Sequence, residues 1–301
     1  MTNSKGSMDR VEDYNRPANR FGQAVLRPLR ERWPSIDKAL WRGWYELVSL
    51  WRRDRGAMLM NFGFAPLGEP PANLPRDDEE YRRALYGATA GAVDLAGKDV
   101  LEVGCGRGGG ALFVFERLSP RSLVGLDVAH VAVRGCNRRF GRPGLSFVAG
   151  DAEALPFPER SFDAVLNVES SHHYPDTGRF LREVRRVLRP GGVLLFSDFR
   201  ASPDAASSFS HGRRDYEDLD ALHRIIAESG FVIREEEDIT ANVVRGLDLA
   251  TPSIRARAEA SAPPGLRNVV LQFSGAKDSS IYRVFADRKL VYVRMVVEPQ
   301  A

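Results

Sequence analysis

Short apolar runs alternate with amphipathic stretches over roughly the last two thirds of the chain. The runs are rich in Val, Leu and Phe, as buried strands are. They predict strands at residues 100–103, 122–127, 145–149, 193–197, 231–240 and 289–297, and a further strand that ends at Asn167. Helices are predicted between them at residues 107–118, 177–188 and 215–229. This alternation predicts an α/β fold with a largely parallel sheet.

The N-terminal part has a different pattern. Residues 1–34 are polar and rich in arginine, which predicts a flexible segment. Apolar residues recur at helical spacing over residues 35–60, where Trp41, Trp44 and Trp51 share one face, and another helix is predicted over residues 78–92. Residues 35–97 are therefore expected to form a helical cap or lid. Three interpretations of the tryptophan face stay open: packing against the core, a lid over a lipophilic substrate, or contact with a membrane surface.

A glycine-rich turn follows the first strand, in the sequence DVLEVGCGRGG at residues 99–109. Such a turn presents free amide hydrogens and a helix N-terminus at the carboxyl edge of a sheet, where open α/β sheets bind ligands. Gly104, Gly106 and Gly109 fit the pattern G-x-G-x-x-G, and Asp127 at the end of the second strand can accept the ribose hydroxyls of a nucleoside. Because two cofactor classes share these features, the turn alone leaves both open.

The stretch after the third strand separates the two classes. The segments GDAEALPFPERSFDAVLNVESSHHYPD and FLREVRRVLRPGGVLLFSDF follow the glycine turn in this order. The succession over residues 99–198 resembles the class I S-adenosylmethionine (SAM) methyltransferases, and most of all the small-molecule enzymes of sterol, sugar, macrolide and lipid tailoring. The resemblance implies that residues 98–301 form a Rossmann-like domain. Its seven-stranded sheet would have six parallel strands and an antiparallel last strand, with a helical insertion at about residues 240–286 forming part of the substrate pocket.

The resemblance also implies which residues bind SAM. They lie at the ends of the first four strands and in a segment before the core. Glu102, Gly104 and Gly106 match the first motif, Asp127 the ribose carboxylate, Asp151 with Ala152 the adenine edge, and Asn167 the residue beside the methionine portion. Cys105 in the turn and Val128 after Asp127 are further candidates. The segment MNFGF resembles one that lies against the cofactor in this family, which adds Asn61 and Phe62.

Two adjacent histidines are the candidates for the chemical step. Transfer of a methyl group to a hydroxyl needs a general base. His172 and His173 follow the fourth strand and Asp198 ends the fifth, and related natural-product O-methyltransferases carry histidine and aspartate at these positions. A carboxylate beside a histidine fixes its tautomer and stabilises the imidazolium, so these three residues form the predicted catalytic set, without a ranking of the histidines. Glu169, near the same edge, is expected to bind a ligand or to pair with an arginine.

Composition narrows the function classes. The chain has 301 residues, 28% charged residues and a formal net charge of +3, which is ordinary for a soluble enzyme and too small to indicate nucleic-acid binding. Cys105 and Cys136 are the only cysteines, and no apolar run is long enough to span a membrane, so a cytoplasmic location is expected. Neither an acidic ligand cluster nor a Cys/His spacing suits a metal. A homodimer is left open.

We therefore expect a SAM-dependent methyltransferase that acts on a hydroxyl or carboxyl oxygen of a lipophilic small molecule, such as a polyketide, phenolic or fatty-acid-derived secondary metabolite. The lipophilic substrate rests on the tryptophan-rich helix, Phe209 and the helical insertion. Methylation of an activated carbon in a similar metabolite is the second hypothesis. An NAD-dependent oxidoreductase is a distant alternative, since Asp151 and the LRPGG turn favour a methyltransferase. A methyltransferase-like scaffold without turnover is a third class, and the presence of Glu102, Asp127, Asp151 and the two adjacent histidines argues against it.

Overall fold

The computed structural model describes residues 58–68, 78–203, 218–263, 265 and 267–300. The strands in this part are β1 (Asp99–Val103), β2 (Ser122–Asp127), β3 (Leu145–Ala149), β4 (Phe162–Val168), β5 (Leu188–Ala201), β6 (Phe231–Asp238) and β7 (Leu290–Pro299). The helices are α1 (Asp78–Ala90), α2 (Gly109–Leu118), α3 (His130–Phe140), α4 (Thr177–Val187), α5 (Leu219–Glu228), α6 (Thr240–Ser261), α7 (Arg267–Phe273) and α8 (Ser280–Ala286). A 3-10 turn, Ser171–His173, follows β4.

The seven strands form one sheet in the order β3-β2-β1-β4-β5-β7-β6. Strands β1 to β5 pair in parallel, whereas β7 lies between β5 and β6 and runs antiparallel to both. Six strands are therefore parallel and the last is antiparallel, which confirms the predicted sheet. The chain crosses from one side of β1 to the other between β3 and β4, and open α/β sheets bind ligands at such a switch point.

Helices cover both faces of the sheet because the strands are apolar on both sides. On one face, α1, α2, α3, α6 and α8 contribute Leu85, Val114, Val133, Val243 and Phe285 to a core with strand residues such as Val100. On the other face, α4 and α5 pack Phe180, Val184 and Leu222 against Leu101 and Val103. The register then sets the carboxyl ends side by side: Val103 pairs with Leu126, and Val168 pairs with Ser197.

Strand β5 is longer than the predicted 193–197. Leu188 pairs with Phe162, and after an irregularity Val193 pairs with Ala164, so the RPGG turn interrupts the pairing without ending the strand. At the other end β5 continues by pairing with β7 as far as Ala201. Asp198 consequently lies inside the strand, one residue past the end of its parallel pairing with β4, rather than at the strand's end.

The helical insertion lies where it was predicted, since α6, α7 and α8 connect β6 to β7. The insertion is interrupted between the end of α6 at Ser261 and the start of α7 at Arg267. The predicted flexible segment 1–34, the tryptophan face and Phe209 lie outside the described residues. Within the described residues, no helix combines the length and the apolar character needed to cross a membrane.

Candidate active site

The glycine turn after β1 is tight because two backbone amides bind one carbonyl. The amides of Gly104 and Cys105 donate to the carbonyl oxygen of Leu126 at 2.8 and 3.0 Å. Gly104 has a φ of +80°, and a Cβ at this position would lie 1.8 Å from Oγ of Ser170. Only glycine fits there. The turn runs into α2 at Gly109 and so presents helix N-terminal amides at the sheet edge.

The carboxylate of Asp127 is fixed at the end of β2. The amide of Gly106 donates to Oδ2 at 2.8 Å, and the amide of Ala129 donates to Oδ1 at 2.9 Å. Burial raises the pKa of Asp127 above its ordinary value, although the backbone donors oppose this rise. Two acceptor oxygens held in this way are suited to a pair of neighbouring hydroxyls.

Two buried side chains at the same edge of the sheet each have one acceptor atom without a hydrogen-bond partner among the described residues. Glu102 on β1 accepts the Tyr86 hydroxyl on Oε1 at 2.7 Å, and Asn167 on β4 donates through Nδ2 to the carbonyl of Val103 at 2.9 Å. Glu102 Oε2 and Asn167 Oδ1 are buried and have no hydrogen-bond partner among the described residues. Burial raises the pKa of Glu102 to about 7. Unpaired buried acceptors are destabilising, so both atoms indicate a ligand that carries donors.

Residues 58–64, which we call the 58–64 segment, lie against the glycine turn. A Cβ on Gly109 would lie only 2.6 Å from the carbonyl oxygen of Met58, so the two backbones are in close contact. The Asn61 side chain is buried and is used to shape the segment itself. Its Oδ1 accepts from the amide of Gly63 at 2.9 Å, and its Nδ2 donates to the carbonyl of Arg82 at 3.2 Å.

Glu169 joins the 58–64 segment to the sheet. Its Oε1 accepts the amide of Phe62 at 2.7 Å and the hydroxyl of Tyr292 at 2.8 Å. The Phe62 ring packs against Phe199 and Phe285, with centroid distances of 6.0 and 5.4 Å. Burial raises the pKa of Glu169 to about 8. Glu169 has a φ of +46°, a backbone conformation that non-glycine residues seldom adopt, which indicates that these contacts hold it in place.

The other predicted cofactor residues lie further along this edge or beneath it. Asp151 follows β3, and its Oδ1 accepts the amide of Glu153 at 2.9 Å. Ala152 is buried, whereas Val128 is 43% exposed. The Cys105 thiol packs in the core under the turn, and burial raises its pKa well above the ordinary value. Its side chain is therefore an inert packing group.

His172 is in direct contact with Asp198. The Nδ1 atom of His172 lies 2.7 Å from Oδ1 of Asp198, and the backbone amide of His172 donates to Oδ2 at 3.0 Å. The ring of His173 is exposed and lies 3.9 Å from the His172 ring, centroid to centroid. The structure thus brings the three predicted residues together, and it distinguishes the histidines because His172 is the one fixed by these two bonds.

Asp198 is fully buried among donors. Oγ of Ser171 donates to its Oδ2 at 2.6 Å, and Nη1 of Arg200 lies 3.4 Å from the same oxygen. Burial alone would raise the pKa of Asp198, but the charges of His172 and Arg200 and the hydrogen bonds of His172 and Ser171 outweigh it and hold the pKa below the ordinary range. Asp198 is therefore an anion at neutral pH, and with a hydrogen on Nδ1 of His172 the basic nitrogen of that ring is Nε2.

Several residues of the site were not singled out from the sequence: Tyr86, Ser171, Tyr174, Arg200 and Tyr292. A signal existed for Arg200, because a charged residue two positions after Asp198 in an apolar strand lies on the same face. Tyr86 and Tyr292 gave no local signal, since their partners Glu102 and Glu169 are 16 and 123 positions away in the sequence. Among the described residues, no group of His, Cys, Asp and Glu side chains is arranged to hold a metal ion.

The sequence matches the family described as "Methyltransferase domain" over residues 101–196. It is also 40% identical over 246 residues to the probable phthiotriol/phenolphthiotriol dimycocerosates methyltransferase 2 of Mycobacterium ulcerans, a match that covers 80% of this chain and 89% of that protein. The chain belongs to the class I SAM-dependent methyltransferases. SAM is accordingly its cofactor, and the hypothesis of an NAD-dependent oxidoreductase is wrong.

Two further comparisons concern the relatives and the fold. The methyltransferase is 36% identical over 229 residues to the fatty-acid O-methyltransferase of Mycolicibacterium smegmatis. This match covers 75% of this chain and 78% of that enzyme. Its structure is similar to the crystal structure of the [4+2]-cyclase SpnF, with a TM-score of 0.68 and 23% identity over 86% of this chain and 95% of the cyclase. At that identity the likeness concerns the fold alone.

Proposed function

We propose that this methyltransferase transfers the methyl group of SAM to a hydroxyl oxygen of a lipophilic small molecule, with His172 as general base. The proposal rests on the 2.7 Å contact between Nδ1 of His172 and the buried carboxylate of Asp198. The names of the relatives support the substrate class, since one enzyme is named for phthiotriol and phenolphthiotriol dimycocerosates and the other for fatty acids.

The cofactor is proposed to lie along the carboxyl edge of β1 to β4. When bound, SAM supplies an electrophilic methyl group on a positively charged sulfur. The unpartnered oxygens of Glu102 and Asn167 fit an ammonium donor of its methionine portion, and Asp127 fits the ribose hydroxyls. The backbone of Gly104, Cys105 and Gly106 is proposed to contact SAM in the glycine turn. The adenine is proposed to lie against Val128, Asp151 and Ala152. Asn61 and Phe62 are proposed to contribute through the 58–64 segment.

A base at His172 favours a hydroxyl acceptor over a carboxyl. A hydroxyl must lose its proton as the new carbon–oxygen bond forms, and Nε2 of His172 can accept this proton while Asp198 stabilises the resulting imidazolium. A carboxyl group is already ionised at neutral pH and needs no base. An imidazole held by a buried carboxylate is therefore expected in an enzyme that methylates alcohols or phenols.

The test uses a long-chain alcohol and the fatty acid of the same chain length as matched acceptors. Product and demethylated cofactor are measured by mass spectrometry, and NMR distinguishes a methoxy from a C-methyl group. We expect a methyl ether from the alcohol. We also expect His172→Ala to lower alcohol turnover by a factor of about 10²–10⁴, with a smaller loss for His173→Ala.

Other results would contradict the proposal in distinct ways. Methylation of the acid alone would mean that His172 binds a carboxylate rather than accepting a proton. A C-methyl signal would favour the second hypothesis, carbon methylation. Binding of SAM without turnover of any alcohol, phenol or acid would favour the scaffold without turnover.

A further inference from the structure

A buried arginine lies beside the proposed base. Arg200 follows Asp198 by two residues on β5 and is only 1% exposed. A guanidinium is strongly destabilised by removal from water unless it is paired and hydrogen-bonded. The proton transfer described above uses His172 and Asp198 and leaves this cation without a role.

Arg200 contacts Asp198 by two routes. Its Nη1 lies 3.4 Å from Oδ2 of Asp198, and its Nη2 donates to Oγ of Ser171 at 2.7 Å. Ser171 in turn donates to the same Oδ2 at 2.6 Å. The guanidinium is itself held by the carbonyl of Phe199, to which Nη1 donates at 2.8 Å. Oδ2 of Asp198 therefore faces Arg200, Ser171 and the backbone amide of His172, and Oδ1 faces the imidazole ring of His172.

The charge of Arg200 matters because the pair is buried. With a neutral imidazole, His172 and Asp198 together carry one negative charge, which is unfavourable in a buried site, so an isolated pair would retain its proton to higher pH. A fixed cation beside the carboxylate cancels that negative charge and lets the pair release the proton at lower pH.

We propose that Arg200 is a positioning residue: it fixes Asp198, directly and through Ser171, and balances its charge, which favours the neutral imidazole of His172 over the imidazolium. The inference rests on the proposed role of His172 as the base. Other titratable groups around Asp198 are His173 in the turn Ser171–His173, Tyr174 after that turn, Glu169 directly after β4, and Tyr292 on β7. Arg200 is the permanent cation in this set.

The experiment follows the ring nitrogens of His172 by ¹⁵N NMR over a pH titration of the full-length protein, with the resonance assigned by comparison with His172→Gln. In Arg200→Met we expect the titration midpoint of His172 to rise by about one to two pH units. This is the effect expected when a unit positive charge several ångströms away is removed at an effective dielectric constant of about 20 or somewhat more. Arg200→Lys should stay close to the wild type. Ser171→Ala should raise the midpoint by a smaller amount.

Turnover gives the second readout. The acidic limb of the kcat/KM profile should move to higher pH with the NMR midpoint, so that Arg200→Met is impaired at neutral pH and recovers in more alkaline buffer. A purely structural defect would not recover in this way. The matched control is Arg257→Met, which removes another largely buried arginine, paired with Asp78; it should lower stability and leave the His172 midpoint unchanged.

An unshifted midpoint in folded Arg200→Met would overturn the inference. If Arg200→Met does not fold, Ser171→Ala and Arg200→Lys provide the test. A wild-type His172 midpoint in Ser171→Ala would overturn the inference, and so would a lowered midpoint in either variant. Failure of the proposed function has a different signature, namely full alcohol turnover in His172→Ala, and it leaves the NMR measurement interpretable.

Discussion

Glu102 lies at the sheet edge that is proposed to hold SAM, with one oxygen bonded to Tyr86 and the other without a partner among the described residues. Burial raises its pKa from the ordinary 4.5 to about 7, which corresponds to roughly 3 kcal/mol in favour of the neutral acid. At pH 6 about nine in ten apo molecules would therefore carry a neutral Glu102. An ammonium group binds a carboxylate more strongly than a neutral acid, so SAM binding has to release this proton. The SAM affinity should accordingly fall by up to about tenfold for each pH unit below 7.

Calorimetry in two buffers of different ionisation enthalpy measures both the SAM affinity and the protons released. We expect release of close to one proton at about pH 6 and almost none at about pH 8. Glu102→Gln should bind SAM more weakly at neutral pH, by about 1–3 kcal/mol, and should release no proton in this range. Tyr86→Phe is the matched variant. It removes a hydrogen bond that lowers the pKa of Glu102, so the pKa should rise further and SAM binding should still release a proton at a higher pH than in the wild type.

A wild-type SAM affinity that is independent of pH between about 5.5 and 7 would contradict this prediction, because Glu102 would then already be ionised. So would persistence of the pH dependence in Glu102→Gln. Glu169→Gln identifies the alternative source, since burial raises the pKa of Glu169 to about 8. Loss of the proton release in that variant would assign it to Glu169.

Three further predictions concern the site and its stability. Asp127→Asn should weaken SAM binding by about 1–3 kcal/mol in calorimetry, because the acceptor pair for the ribose is lost; unchanged affinity would contradict the ribose assignment. Gly104→Ala should lower the urea midpoint strongly, since its Cβ would lie 1.8 Å from Oγ of Ser170, and a wild-type midpoint would show that the turn relaxes freely. Without SAM, the free energy of unfolding should decrease from about pH 5 to pH 8. The pKa values of Glu102 and Glu169 are raised in the folded protein from 4.5 to about 7 and about 8, so protonation of these two carboxyls stabilises the fold. This stabilisation is fully present below pH 4.5, the ordinary pKa, and is lost as the pH rises through about 7 and 8. Urea unfolding of Glu102→Gln and Glu169→Gln should show a flatter profile, and a wild-type slope in both would contradict the assignment.

The sheet could be predicted from the sequence because its signals are local. The apolar runs, the glycine turn and the acidic residue after the second strand each depend on residues close together in the chain, and strands β2 and β3 begin and end where the pattern placed them. The length of β5 was missed because its last residues are ordered by pairing with β7, which lies about ninety residues later in the sequence. Strand ends of that kind depend on tertiary pairing.

Three candidates for the catalytic site could be named from the sequence, but their contacts and several of their neighbours, such as Ser171 and Tyr292, were not predicted. His172, His173 and Asp198 were named together, but the choice between the histidines depends on the 3-10 turn Ser171–His173, which brings one ring and one backbone amide onto the same carboxylate. Hydrogen bonds between distant positions, such as the bond from Tyr86 to Glu102, depend on how the helices pack on the sheet. The hydrophobic pattern of the sequence does not predict them.

Glu102 and Asp198 are both buried, yet their pKa values move in opposite directions. Asp198 has His172, the Arg200 cation and the Ser171 hydroxyl beside it, and their interactions with the carboxylate together outweigh the effect of burial. For Glu102, the main opposing contact is the hydrogen bond from neutral Tyr86, so burial dominates. A buried carboxyl without a counter-cation is stable in the apo enzyme only because it can hold a proton. We infer that the ammonium group of SAM supplies for Glu102 the positive charge that Arg200 supplies for Asp198, which is why the pH dependence of SAM affinity and the His172 titration should respond to different variants.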